Sequence, residues 1–237
     1  MESGSRAWGF ASPDSDFDVR FVYKRNDIKD YLKLEGIRDV IEWELNDVYD
    51  ISGWDLDKTL KLLYKSNPVI FEWANSPIVY KETPFLKKFR EFIKPYFMSV
   101  KGAQHYLHMA ERNYEMYLDS ETVKLKKYFY VLRPILATEY VLKYKSNPPM
   151  KFEELLKELD DETVRKEVDR LLEAKKKTPE LGTSAKNEIL NDFIKKELIN
   201  LNERAASLNK ETTDWKELNR LFIETIETDG GKDCGNH

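Results

Sequence analysis

The chain has 237 residues, of which 41% are hydrophobic and 35% charged, and its 39 basic against 43 acidic side chains leave a net charge of −4. That balance excludes a disordered or fibrous chain and leaves enough apolar mass for a substantial core. It also excludes indiscriminate nucleic-acid binding, which depends on neutralising phosphates with an excess of Lys and Arg.

Taken in order, the first part of the chain, to about Tyr80, mixes alternating runs with turns. DFDVRFVY, RDVIEWEL and VYDIS each alternate apolar and polar residues, the pattern of a half-buried strand. A short helical pattern with an Asn cap runs from Asn26 to Leu32. From Asp55 to Lys65, Leu56, Leu60 and Leu63 share one helical face with Asp55 as cap. Asn67-Pro68 ends that helix, and a short apolar helix follows through Phe71 and Trp73. Beyond Thr83-Pro84 the periodicity predicts helices at 84–97, 100–118, 121–145, 151–159, 162–177, 184–208 and 214–227, with kinks or breaks at Pro95 and Pro134. The expected architecture is α+β: a small mixed-sheet domain over 1–80, an all-helical domain over 81–228, and a disordered tail over 229–237. Few glycines and prolines, nine of each, argue against a β-sandwich.

No apolar run approaches the roughly 18 residues of a membrane span, and no basic segment followed by an apolar one opens the chain. A cytoplasmic protein is expected. The single cysteine, Cys234, makes no internal disulfide, and Cys234 with His237 falls short of a zinc site. His105 and His108 lack a third ligand, the Lys175–Lys177 run reads as a solvated helix end, and Trp43, Trp54 and Trp73 read as core. Basic residues gather at Lys81–Lys101 and again at Lys124, Lys126, Lys127, Arg133, Lys143 and Lys145. Lys126, Lys127, Tyr130 and Arg133 could face phosphates or only solvent.

The segment GSRAWGFASPDSDFDVR carries the chemistry, with Gly4-Ser5 followed after ten residues by Asp16, Phe17 and Asp18. Two carboxylates two positions apart on a strand share a face. Side by side they are costly to ionise without a cation, and Mg²⁺ accepts carboxylate and triphosphate oxygens together. A glycine allows close backbone approach to phosphate, and a serine hydroxyl can cradle its oxygens. Arg6 and Arg20 could add charge-assisted contacts. Together these describe two-metal nucleotidyl transfer, with Trp8 either covering the nucleotide or packing locally.

The same residues resemble the DNA polymerase beta superfamily of nucleotidyltransferases, and more narrowly its RlaP-type, YcgL-like branch associated with RNA repair. ESGSRAWGFASPDSDFDVRFVY, DISGWDLDKTLKLLYKSNPVIFEW with SPIVY, and KKYFYVLRPILATEYVL with NPPMKFEEL carry the resemblance, over roughly Glu2 to Leu155. It implies Asp16 and Asp18 as metal ligands, Gly4 and Ser5 as the phosphate-binding pair, and a third carboxylate on a neighbouring strand to polarise the attacking hydroxyl. Asp50 is the choice, because it lies on an alternating strand, whereas Asp55 caps a helix and Asp47 sits at a corner. The implied reaction is Mg²⁺-dependent transfer, with two ions and with Mn²⁺ as a substitute, of a nucleoside monophosphate from an NTP to a hydroxyl, RNA being the favoured acceptor. A same-fold alternative adds AMP to a protein, as in toxin and antitoxin pairs. The superfamily places a helix and a strand before the Gly-Ser turn, while three residues precede Gly4 here. An N-terminally truncated sheet, and with it an inactive binding module, is therefore a further expectation. Base preference, templating and oligomeric state are not legible.

Overall fold

In a computed structural model, which describes residues 1–43, 46, 48–177, 182–209 and 211–228, the three alternating runs form one mixed sheet. The expected tail and Asp47 lie outside the described residues. Strands β1 (Phe17–Tyr23), β2 (Val40–Glu42) and β3 (Tyr49–Asp55) lie in the order β1-β3-β2, with β1 parallel and β2 antiparallel to β3. Register sets Asp18 opposite Asp50 and Arg20 opposite Ser52. Residues 1–3 run beside the free edge of β1, where Glu2 bridges Val19 and the Ser3 N–H donates to the Asp18 carbonyl at 2.8 Å. The Gly-Ser turn, a single helical turn α1 (Gly4–Ala7), is thus held from its upstream side.

Local chemistry explains most of the next elements. Asp55 ends β3 and accepts the Asp57 N–H at 2.8 Å, opening α2 (Leu56–Tyr64) with Leu56, Leu60 and Leu63 buried. Asn67 caps α3 (Pro68–Ala74) with proline in its first turn. The pattern at Asn26–Leu32 becomes a short 3₁₀ turn, Ile28–Tyr31, capped by Asp27 rather than Asn26.

In the second part α4 (Pro84–Glu91) and α5 (Ile93–Tyr96) divide at Phe92, and α6 (Ser99–Tyr117) follows as expected. Residues 121–125 do not begin a helix: β4 (Thr122–Lys124) pairs with β5 (Thr183–Ala185), burying Val123. Pairing partners about sixty residues apart in sequence override a helical periodicity. Helix α7 (Lys127–Tyr144) runs unbroken through Pro134. The Tyr130 carbonyl, which proline leaves without an N–H, instead accepts from Asn113 Nδ2 on α6 at 2.8 Å. The segment 151–159 is α8 (Phe152–Leu155) and a 3₁₀ turn, Leu156–Glu158; α9 (Glu162–Lys177), α10 (Glu188–Ala206, capped by Asn187) and α11 (Lys216–Glu227) complete the chain.

Among the described residues one apolar cluster runs from Phe10 to Leu221. Phe10, from the loop after α1, stacks on Phe129 of α7 with centroids 5.1 Å apart and meets Phe152 of α8 edge-on at 5.4 Å. Each such buried ring contributes about 1.5–3 kcal/mol by leaving water. At the far end α11 returns to α2, where Trp215 stacks on Tyr64 at 3.6 Å. The helices therefore act as a wall against the signature loop, and that contact positions the site. Among the described residues no helix is long and apolar enough to cross a membrane.

Candidate active site

The site begins at the edge of the sheet where α1 meets β1 and β3. Gly4 has φ +60°, and a Cβ there would lie 1.8 Å from Asp18 Oδ2, so backbone and carboxylate meet at a distance that only glycine permits. Asp18 and Asp50, opposite one another on parallel strands, both grip Arg20: its Nη2 is 3.0 Å from Asp18 Oδ1 and 2.7 Å from Asp50 Oδ2. Arg20 Nη1 also donates to the backbone carbonyls of Asp50 and Val19 at 2.6 and 3.1 Å. Asp16 is exposed two residues before Asp18.

Burial pushes the Asp18 carboxyl up to about 6; Arg20 pulls it down, and Asp16, Asp50 and Glu2 push it further up. A carboxylate held close to three others is the electrostatic signature of a place that welcomes a cation. Glu2, which no motif singles out, is fully buried behind this site. Its Oε1 accepts the Asp18 N–H at 2.7 Å, its Oε2 accepts the Tyr80 hydroxyl, and its carbonyl accepts Ser76 Oγ at 2.6 Å.

The Gly-Ser side carries hydroxyls. Ser5 Oγ donates to Ser15 Oγ at 3.0 Å, and Ser15 Oγ in turn bonds Ser12 Oγ at 3.0 Å and accepts the Ser12 N–H at 2.9 Å. Lys175 of α9 reaches this cluster, its Nζ 3.5 Å from Ser12 Oγ. It is 93% buried, so its reading as part of a solvated helix end is corrected: the aliphatic stem packs into the interface and the ammonium tops the Phe10 ring at 5.7 Å. Burial and then Lys126 push the Lys175 ammonium pKa below its ordinary value, while Asp14 opposes them. Nothing in a Lys175–Lys177 run distinguishes the one buried lysine, because burial is decided by the loop packed across it.

Arg6 places its guanidinium over the Phe17 ring at 3.9 Å, with Nε buried and unbonded. Trp8 packs against Arg133, whose guanidinium is 4.4 Å from the indole centroid, and edge-on against Tyr130 at 6.2 Å. Arg133 is not on a solvated face: it is buried, and its Nη1 donates to Glu72 Oε1 at 3.0 Å, which the Tyr106 hydroxyl shares at 3.2 Å. Lys127 sits over the Tyr117 and Tyr130 rings at 3.8 and 4.8 Å. Half of the six basic residues in the stretch 81–101 are in ion pairs, Lys87 and Arg90 on Glu82 and Lys88 on Glu224. Of the three tryptophans expected in the core, Trp73 is buried and Trp54 half-buried, but Trp43 is 69% exposed.

The carboxylates offer hard oxygen donors, the class Mg²⁺ prefers. The close approach of Gly4 to Asp18 and the raised Asp18 pKa both fit a divalent ion there. In this arrangement, however, Arg20 supplies the positive charge, and among the described residues no three His, Cys, Asp or Glu side chains already converge as a metal cage.

The profile of the RNA repair pathway DNA polymerase beta family, RlaP, matches residues 1–224. A relative from Bacillus subtilis (strain 168), named "Uncharacterized protein YcgL", is 45% identical over 98% of this chain and 91% of its own length. No solved structure matches. The chain belongs to the RNA repair pathway DNA polymerase beta family.

Proposed function

We propose that this chain is a Mg²⁺-dependent nucleotidyltransferase that moves a nucleoside monophosphate from an NTP to a hydroxyl, with RNA as acceptor. The observation that carries the reading is the juxtaposition of Asp18 and Asp50 across β1 and β3 with the Gly4 backbone against Asp18, in a chain of this family. Asp16, Asp18 and Asp50 would hold the metal, which when bound neutralises the triphosphate and activates its α-phosphorus toward attack.

The residues divide the remaining work. Ser5, within the Ser5–Ser15–Ser12 cluster, holds triphosphate oxygens, and Lys175 adds a cation from the helical side. Gly4 keeps the backbone low enough for the phosphates to approach Asp18. Arg20 leaves one carboxylate oxygen for a phosphate oxygen as the triphosphate seats. The Asp50 oxygen that Arg20 does not engage, Oδ1, takes the proton of the attacking hydroxyl. The acceptor oxygen then bonds the α-phosphorus, the bond from that phosphorus to the bridging oxygen breaks, and pyrophosphate departs with its electron pair.

Incubation with each labelled NTP, Mg²⁺ and total RNA tests this. Label in RNA that is lost in Asp18→Asn and Asp50→Asn, with both variants still unfolding in one cooperative transition, is the expected result. Equal labelling by the variants, or label only in protein, overturns it.

A further inference from the structure

The helical side meets the signature turn through one buried cation. Arg133 lies in the middle of α7 and is 3% exposed. Its Nη1 donates to Glu72 Oε1 of α3 at 3.0 Å, and its guanidinium carbon stands over the Trp8 indole, 4.4 Å from the centroid. Among the described residues the Arg133 Nε is buried without an acceptor, as is the Trp8 Nε1. An ion pair this deep with a donor left over adds little stability, because apolar side chains of similar volume commonly do as well or better. A buried guanidinium kept beside an indole needs another reason, and the geometry supplies one.

Trp8 closes the turn α1. Its N–H donates to the Gly4 carbonyl at 3.0 Å, the Phe10 N–H donates to the Ser5 carbonyl at 3.1 Å, and the Trp8 carbonyl accepts the Phe152 N–H of α8 at 2.9 Å. Where the indole sits therefore decides where the Gly4 and Ser5 backbone sits. On the other side, Glu72 is followed in α3 by Trp73, which stacks on Trp54 of β3 with centroids 4.0 Å apart. The contacts close a circuit: the strand that carries Asp50 holds α3, α3 holds Arg133, Arg133 holds Trp8, and Trp8 holds Gly4 against Asp18 of β1. A planar cation meets a carboxylate with its edge and an indole with its face at the same time, which a compact ammonium does not.

We propose that Arg133 is a positioning residue for the phosphate-binding turn: clamped by Glu72, it holds Trp8 so that Gly4 and Ser5 stand at a fixed place relative to Asp18 and Asp50 before a triphosphate arrives. The benefit to triphosphate binding rests on the nucleotidyl-transfer reading, whereas the clamp itself is tested without it.

Hydrogen exchange over residues 4–10 and calorimetric binding of each NTP with Mg²⁺ are measured on the full chain, on Glu72→Gln with Arg133→Met, on Trp8→Ala, and on the three substitutions together. The paired substitution strands no charge, and methionine fills the space without a fixed plane, so circular dichroism melting should find it cooperative and near wild type. Exchange over 4–10 is expected to run about tenfold faster with α10 unchanged, and NTP affinity to fall about tenfold, the size of one desolvated cation–π contact. Trp8→Ala should match the paired variant on both readouts, and the triple variant should add less than about twofold, because the two residues act through one contact. If the paired variant does not fold, Arg133→Lys, which keeps a charge on Glu72 but gives the indole no plane, carries the same expectations. Unchanged exchange overturns the clamp. Faster exchange at full NTP affinity overturns it as well, as does a further tenfold loss in the triple variant, which would put Trp8 on the nucleotide itself. A wild-type chain that binds no NTP, with the exchange pattern as expected, would sustain the clamp and sink the transferase reading.

Discussion

Asp18 should make this protein less stable as the pH rises, against the usual trend for carboxylates. Its pKa stands at about 6 against an ordinary value of 3.8, chiefly because burial disfavours its charge. Below about pH 4 it is protonated in folded and unfolded chains alike and costs nothing. Between that pH and about 6 the unfolded chain releases the proton while the folded one keeps it, so stability falls, and the loss is complete above the folded value. The shift corresponds to about 3 kcal/mol, and to about 2 kcal/mol once water on the open side of the carboxylate is allowed for. Asp18→Asn keeps the shape and removes the charge. Urea unfolding followed by tryptophan fluorescence should find the variant level with wild type near pH 4 and about 2 kcal/mol more stable near pH 7.5. Mg²⁺ at millimolar concentration should narrow that gap by stabilising the wild type alone. A gap that does not change with pH refutes the reasoning, and a variant less stable at neutral pH means that the Arg20 pair outweighs burial.

Three further outcomes follow from contacts in and behind the site. Gly4→Ala incurs about 1–2 kcal/mol of left-handed backbone strain and drives its methyl into Asp18, so label transfer should fall at least about a hundredfold; Gly9→Ala, at φ +82° with open space around it, should retain transfer, and similar activities for the two would refute the close-approach argument. Arg133→Met strands the Glu72 carboxylate in the core and should cost about 3–5 kcal/mol in chemical denaturation, most of it recovered by adding Glu72→Gln; a mild single-variant effect would show that the pair is dispensable. Lys175→Met keeps the stem over Phe10 and should leave stability equal or higher while raising the KM for NTP about tenfold; an unchanged KM removes Lys175 from the triphosphate site.

The carboxylate face was legible because strand alternation is a local rule. Asp16, Asp18 and Arg20 are two apart, and Asp50 lies on a run of the same period, so only the register of β1 on β3 was needed to bring Asp18 and Asp50 together. Asp55 was separable from them because its neighbours demanded a cap, and it is that cap. What stayed hidden depends on distant packing. Val123 forms a strand because residues 183–185 reach it, and Pro134 sits inside α7 because Asn113 satisfies the carbonyl it strands. Lys175 is buried by a loop more than 150 residues upstream, and Glu2 by strands and turns on three sides. Trp43 was assigned to the core by residue type alone, since the pattern of a three-residue edge strand does not say which face is covered.

Arg20 explains how such a site can fold before it holds anything. Two carboxylates in paired register on neighbouring strands repel each other, and the repulsion grows as the surrounding helices exclude water. A cation two residues along the same strand face needs no additional element to reach both, and the strand geometry that aligns the acids also aligns it. Its bonds to the Asp50 and Val19 carbonyls keep it seated when one carboxylate is withdrawn. On the proposed reading this makes Arg20 both the counter-ion of the resting site and the donor for an arriving phosphate. Asp18 still stands at about 6, chiefly through burial and with Asp16, Asp50 and Glu2 adding to it against the pull of Arg20, so the arginine satisfies this carboxylate only in part and leaves a place that a divalent ion would favour.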